Sequence, residues 1–218
     1  MRPRVVVLSA PSGGGKTTIA KRLLELRPDK FGYSVSATTR APRAGERHGE
    51  AYYFVTRQEF AAWQAEHRFV ETATYAGELY GTLQSEVEQV LRSGKHVLLD
   101  IEVEGARQVR EAYPDAITIF ILPGSPRVLM ERLLQRKSES PSELLQRLER
   151  AAYELAAIVT FDRIVRNDVL DDAVSAVARI VDEGGGWRRE KWELQWVVDF
   201  SNGLQQETQR LYDELHRR

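Results

Sequence analysis

Hydrophobic and polar positions along the chain alternate between short apolar runs and amphipathic stretches. Residues 5–8, Val-Val-Val-Leu, form an uninterrupted run bounded by a Pro/Gly cluster, and 16–27 then carries Ile19, Leu23, Leu24 and Leu26 at helical spacing. This pattern predicts strand, glycine loop and helix. Two more apolar runs, 96–101 and 116–122, are each followed by helix-compatible sequence, and 163–165 is a fourth candidate strand. Continuously apolar strands joined by helices predict an α/β fold with a parallel sheet flanked by crossover helices. Between the first helix and Ser93 the texture changes. Segments 33–36, 52–55 and 69–75 predict short strands rich in aromatics and Thr, separated by Pro/Gly turns, so 34–83 reads as an insertion with its own small mixed sheet. Residues 136–142, broken by Ser and Pro, interrupt two charged helices and predict a mobile lid. Gly184-Gly185-Gly186 then separates the body from a tail, 187–218.

A length of 218 residues accommodates one domain with insertions, and 42% hydrophobic with 29% charged residues excludes a disordered or collagen-like chain. Lys and Arg number 31 against 32 Asp and Glu, so no overall basic field exists to hold nucleic acid or an anionic membrane. Neither is expected as a partner, and any site for a polyanion must be local. With no cysteine, a disulfide framework, a thiolate metal site and a Cys nucleophile are all excluded. The apolar start is too short for a signal peptide, and no uncharged run approaches the ~18–20 residues that span a bilayer. Cytoplasm is the expected location. His48, His67, His96 and His216 are isolated, without zinc-ligand spacing, and read as surface or packing residues.

The string A-P-S-G-G-G-K-T, residues 10–17, matches GxxxxGK[ST] except that Ala10 stands where the pattern has its first glycine. Its context, a buried-type strand before and an amphipathic helix after, is that of a phosphate loop. Ser12, Gly13, Gly14, Gly15, Lys16, Thr17 and Thr18 are the candidate ligands of a nucleoside triphosphate. Backbone amides converge on phosphate oxygens, Lys16 reaches the β- and γ-phosphates, and the Thr17 hydroxyl binds Mg²⁺. A glycine-rich turn with an incidental lysine is the competing reading. Ala10 needs no positive φ if the strand continues through it. Asp100 closes an apolar strand at its carboxyl end, where ligands of such sheets bind, and is either a second Mg²⁺ ligand through water or a capping aspartate.

Within the insertion, S-V-S-A-T-T-R-A-P-R-A-G-E-R-H-G-E-A-Y-Y-F-V sets Arg40 and Arg43 among hydroxyls and a tyrosine pair, suited to clamping a second phosphate ester. With this segment, the phosphate loop, E-L-Y-G-T at 78–82, L-D-I-E-V-E-G at 99–105 and the R-L-L-Q-R and Q-R-L segments, the sequence resembles the guanylate kinase family over about 5–183. The resemblance implies a P-loop NTPase fold: a core of 1–33, 84–131 and 148–183, a GMP-binding insertion 34–83, a helical lid 132–147 and an extension 184–218. It implies Mg²⁺-dependent phosphoryl transfer from ATP to GMP, and to dGMP, by in-line displacement. GMP-phosphate contacts then fall on Arg40, Arg43, Tyr52 and Tyr80, and guanine contacts on Ser36, Glu71, Thr82 and Glu102. A carboxylate at 71 accepts from guanine N1–H and the exocyclic amine together, which adenine cannot supply. On residue type alone, Glu71 could equally be an exposed strand carboxylate.

The lid resemblance falls on the catalytic arginines Arg132, Arg136 and Arg147, whose competing role is a solvated helix face paired with Glu131 or Glu149. Asn167 resembles the family's adenine-side Asn, in a segment where Arg166 stands inserted. Other departures are Glu102 for Asp, Glu104 for Gln, Lys137 for Gly and Thr82 for Ser. No general base is required, because the acceptor is already an ionised phosphate. The alternatives are a related kinase with another acceptor, such as a ribose bisphosphate, or a non-catalytic guanylate-kinase-like binding module. The chain is expected as monomer or homodimer. In the tail, Trp187, Trp192, Trp196, Val197, Val198 and Phe200 predict an apolar patch, and Leu204, Leu211 and Leu215 a later helix. This segment is expected to dock on its own core or on a second subunit.

Overall fold

The computed structural model describes residues 2–75, 77–134, 141–184 and 191–216. Arg136, Lys137 and Trp187 lie outside these residues, as do the side chains of Trp192 and Leu215. Two compact units form: Met1–Val7 with Lys21–Ile117, and Leu8–Ala20 with Thr118–Arg218. Strand β1 (Val5–Ser9) and helix α1 (Lys16–Leu26) contribute residues to both.

Strands β2 (Phe31–Tyr33), β7 (His96–Asp100), β8 (Ile117–Leu122) and β9 (Arg163–Arg166) join β1 in a sheet ordered β2-β7-β1-β8-β9. Pairing of β2 with β7 and of β8 with β9 is parallel. All residues of β1 and β8 are buried, as sheet strands covered on both faces require. Of the histidines, His96 is buried and takes a hydrogen bond from the Arg4 amide, a packing role.

The first unit also holds β3 (Ser36–Thr38), β4 (Tyr53–Phe54), α2 (Arg57–Ala65), β5 (Phe69–Tyr75), β6 (Glu78–Leu83), α3 (Gln84–Arg92) and α4 (Val103–Ala112). Its second sheet is mixed, ordered β4-β3-β6-β5, with β3 parallel to β4 and antiparallel to β6. The expected strand 33–36 is two strands in different sheets, since β2 pairs with β7 and β3 with β4 and β6. A β-prone run does not mark where the chain changes sheet. Helix α2 starts at a reciprocal capping box, Thr56 with Glu59, and its Phe60 stacks on Phe69 of β5 at 4.5 Å. Gly81 of β6 lies under that ring, where a Cβ would come within 2.6 Å of it.

The second unit carries α5 (Pro126–Leu134), α6 (Pro141–Ala156), a 3-10 turn (Ala157–Thr160), α7 (Leu170–Glu183) and α8 (Lys191–His216). Within the tail, 191–216 is thus one helix, where the sequence pattern separates an apolar patch from a later helix. Val197, Phe200 and Leu204 are buried, and α8 packs on α5 and α6, so self-docking is the arrangement seen.

Candidate active site

In the second unit the chain leaves β1 at Ser9 and turns through Pro11–Gly15 into α1. The Gly14 amide donates to Pro11 O at 2.7 Å, and Gly13 and Gly15 take φ of 82° and 95°, which only glycine adopts without strain. Ala10 needs no positive φ, although β1 ends one residue before it, at Ser9, and does not continue through it as expected. Its methyl nevertheless has a counterpart, because a Cβ on Gly14 would sit 2.7 Å from it. Ala10 thus occupies space that Gly14 leaves open. Lys16, Thr17 and Thr18 form the first turn of α1, which carries no acidic residue of its own at the positive end of the helix dipole.

Three side chains distant in sequence converge on this loop. Asn167, 6% exposed, donates from Nδ2 to Gly14 O at 2.8 Å, and a Cβ on Gly15 would collide with that nitrogen. Arg132 from α5 donates to Gly13 O at 3.4 Å and to Asn167 O at 3.2 Å. Arg147 from α6 donates to Ser12 Oγ at 3.0 Å and to Leu133 O at 3.2 Å. Two guanidinium groups and a buried amide therefore surround Ser12, Gly13, Gly14 and Gly15.

In the first unit the second sheet presents the other group of residues. Arg40 donates from Nη2 to both carboxylate oxygens of Glu46, at 2.9 and 3.0 Å, and from Nη1 to Ala41 O. Its guanidinium lies over the rings of Tyr52 and Phe54, at 5.5 and 5.8 Å. Tyr80 meets Tyr52 edge-on at 5.9 Å. Burial, then the neighbouring Tyr80 and Asp100, push the Tyr52 hydroxyl above its ordinary pKa, so it stays a donor. Glu46 also accepts from the Arg43 amide, and this bond, together with Arg40, holds its carboxyl below the usual range. Arg43 itself is exposed.

Beside this cluster three strands set three candidate residues in one row. Thr82 of β6 pairs with Ser36 of β3 on one side and Glu71 of β5 on the other. The Thr82 hydroxyl donates to Glu71 Oε1 at 2.7 Å. Glu71 is 4% exposed, so the exposed-carboxylate alternative is excluded. Burial raises its pKa, the Thr82 bonds oppose that, and the Glu102 charge adds to the rise. Glu102 is the residue preceding α4, at its N-cap. Asp100 closes β7, half-buried.

Two residues that sequence reasoning missed complete this group. Glu46 could have been suspected as the one acid between Arg43 and Arg47. Gln108, with no such signal, accepts from the Thr72 amide and donates to Thr72 O, both at 3.0 Å, tying α4 to β5 next to Glu71. Gly105, one turn earlier, leaves room for Glu71, whose Oε2 a Cβ there would approach to 2.5 Å.

A phosphate loop between strand and helix, flanked by arginines, in one unit, and a small mixed sheet with a buried carboxylate in the other, are features of a nucleotide-binding α/β protein. The family model described as guanylate kinase matches residues 2–184. A guanylate kinase of Synechocystis sp. is 47% identical over 183 residues, 84% of this chain and 95% of that protein. One of Thermus thermophilus is 47% identical over 175 residues, 80% of this chain and 79% of that protein. The crystal structure of guanylate kinase from Anaplasma phagocytophilum superposes with a TM-score of 0.67 at 31% identity, covering 83% of this chain and 85% of that one. The chain belongs to the guanylate kinase family.

Proposed function

We propose that the chain transfers the γ-phosphoryl group of ATP to GMP, and to dGMP, giving ADP with GDP or dGDP. The observation that carries this is the row Ser36, Thr82 and Glu71, in which Thr82 and Glu71 are buried and Ser36 half-buried, with Glu102 nearby. Among the described residues no cation pairs with Glu71, and a carboxylate so held suits the paired N–H donors of guanine; a ribose bisphosphate has no base to offer it. Arg40, Arg43, Tyr52 and Tyr80 bind the GMP phosphate as fixed charges and phenolic donors. Ser12 to Thr18 bind the ATP phosphates, Lys16 neutralises the transferring group, and Asn167 holds the loop on the donor side.

Arg132 and Arg147 stabilise charge on the equatorial oxygens as the γ-phosphoryl loosens, with Arg136 as a third lid donor; such groups contribute ~10³–10⁵ in rate. Among the described residues no cluster of three or more His, Asp or Glu could hold a metal by itself. Mg²⁺ nevertheless fits the donors present, a Thr17 hydroxyl and an Asp100 carboxylate, because it keeps waters and substrate phosphates as its remaining ligands. Bound with ATP, it would neutralise charge on the β- and γ-phosphates.

We assign 34–83 to GMP binding, 132–147 to the lid and 184–218 to an extension of the core, acting as monomer or homodimer in the cytoplasm. No described helix is long and apolar enough to cross a membrane. An ATP-coupled assay across GMP, dGMP, AMP, CMP and UMP tests the function. Turnover confined to the two guanine nucleotides is expected, and comparable kcat/KM for AMP would overturn the reading.

A further inference from the structure

Helix α8 lies beyond the residues that match the family, yet it is bound at several points to the elements that hold the phosphate loop. Glu193, fully buried, lies 3.6 Å from Arg163 at the start of β9. Trp196, one turn on, lies under the guanidinium of Arg166 at the end of β9, 5.5 Å from the ring centroid. Two turns further, Gly203 packs on Pro126 at the start of α5, where a Cβ would come within 2.8 Å of the proline ring. The helix therefore grips both ends of β9 and the origin of α5.

Those two elements carry the loop's partners. Arg166 is followed by Asn167, whose amide holds Gly14 O, and then by Asp168, whose carboxylate pairs with Arg166 at 2.7 Å. Asp168 also lies against Gly124, just before α5, where any Cβ would collide with it. Arg132 on α5 closes the circuit, reaching Gly13 O and Asn167 O. Arg166–Asp168 is thus a junction of three contacts: outward to α8, inward to the loop and sideways to α5. The partner of the Arg166 guanidinium face is a tryptophan of the extension.

We infer that Trp196, through Arg166, is a positioning residue for the triphosphate site. α8 holds Asn167 and Arg132 at the spacing the loop requires, so the extension supports ATP binding and leaves GMP binding alone. This rests on the donor-site reading of the loop and Asn167.

Michaelis constants for both substrates, measured on full-length, melt-verified Trp196→Ala, Trp196→Phe, Arg166→Ala and Asn167→Ala, test it. Arg166 is exposed, so its alanine variant is expected to fold. Trp196→Ala and Arg166→Ala should each raise KM for ATP about three- to tenfold, the range a cation–π contact supports, with KM for GMP unchanged. The double variant should be no worse than either single one, and Trp196→Phe should largely restore the wild-type value. Val198→Ser, at a position 52% exposed on the same helix, should move neither constant. If Asn167→Ala raises KM for ATP while Trp196→Ala and Arg166→Ala do not, or if these raise both constants alike, the inference fails and the donor-site reading stands. If Asn167→Ala has no effect, the donor-site reading itself falls, and the inference with it.

Discussion

Glu71 carries a charge that its surroundings oppose. Its pKa in the folded chain lies above the carboxylate value of the unfolded one, first because it is buried and then because Glu102 is near. The sign of the linkage follows: ionised Glu71 destabilises the fold, by nothing below the usual carboxylate range and increasingly as pH rises through the raised pKa. Guanine N–H donors favour the ionised form, so GMP should bind with release of a proton and weaken as pH falls through that raised value. Calorimetry in buffers of different ionisation enthalpy should show more proton release for the wild type than for Glu71→Gln. The titration of the nucleotide phosphate itself, near ~6, cancels in that difference. Equal release by the two proteins would mean that Glu71 does not read the base. The same variant should lower the GMP-over-AMP ratio of kcat/KM by ~10²-fold or more. Lys16 belongs to the other nucleotide: Lys16→Ala should lower kcat by ~10²-fold or more while calorimetric GMP affinity is kept. Equal loss of GMP affinity would contradict this division.

Strand β5 lies at the edge of its sheet, and Gln108 of α4 covers that edge at Thr72 as a neighbouring strand would. Gln108→Ala leaves two backbone groups of Thr72 without these partners, worth ~1–3 kcal/mol together, and should raise KM for GMP while KM for ATP is unaffected. Gly105→Ala should act in the same direction through overpacking against Glu71, by ~1–3 kcal/mol. Were the two substrates affected equally, α4 would not be the element that sets Glu71. Legibility in the sequence divides along this line. The β1, loop and α1 unit could be read directly, because its signals are contiguous and its glycines are demanded by local geometry. Ser36 lies tens of positions from Glu71 and Thr82, which are themselves 11 apart, and the three meet only through strand register, so only the family motif joined them. Helices α2 and α3 escaped notice although α2 begins at a capping box, because each spans nine residues within a stretch whose aromatics favour strands. Gln108 had no motif at all, since its role exists only once α4 meets β5.

Across the molecule, the extension contributes packing that the family match does not include. Val197, Phe200 and Leu204 are buried with Glu193 against the second unit's own elements. Truncation after Glu183 should therefore lower Tm by roughly 10 °C or more, from three apolar side chains at ~1.5–3 kcal/mol each. The reacting groups all precede it, so kcat should stay within about tenfold, with the loss appearing in KM for ATP. A folded truncation that binds both nucleotides but does not turn over would assign the helix to the chemistry itself. The division of the chain also orders events at the ribosome. Every proposed GMP ligand lies within Lys21–Ile117, whereas the phosphate loop, at Leu8–Ala20, belongs to a unit completed only by Thr118–Arg218. The loop is among the first segments synthesised, but Arg132, Arg147 and Asn167 follow more than a hundred residues later, several seconds at ~5–20 residues per second. A nascent chain thus carries its triphosphate signature long before it has the side chains that shape it, and competence to retain ATP arises late in translation.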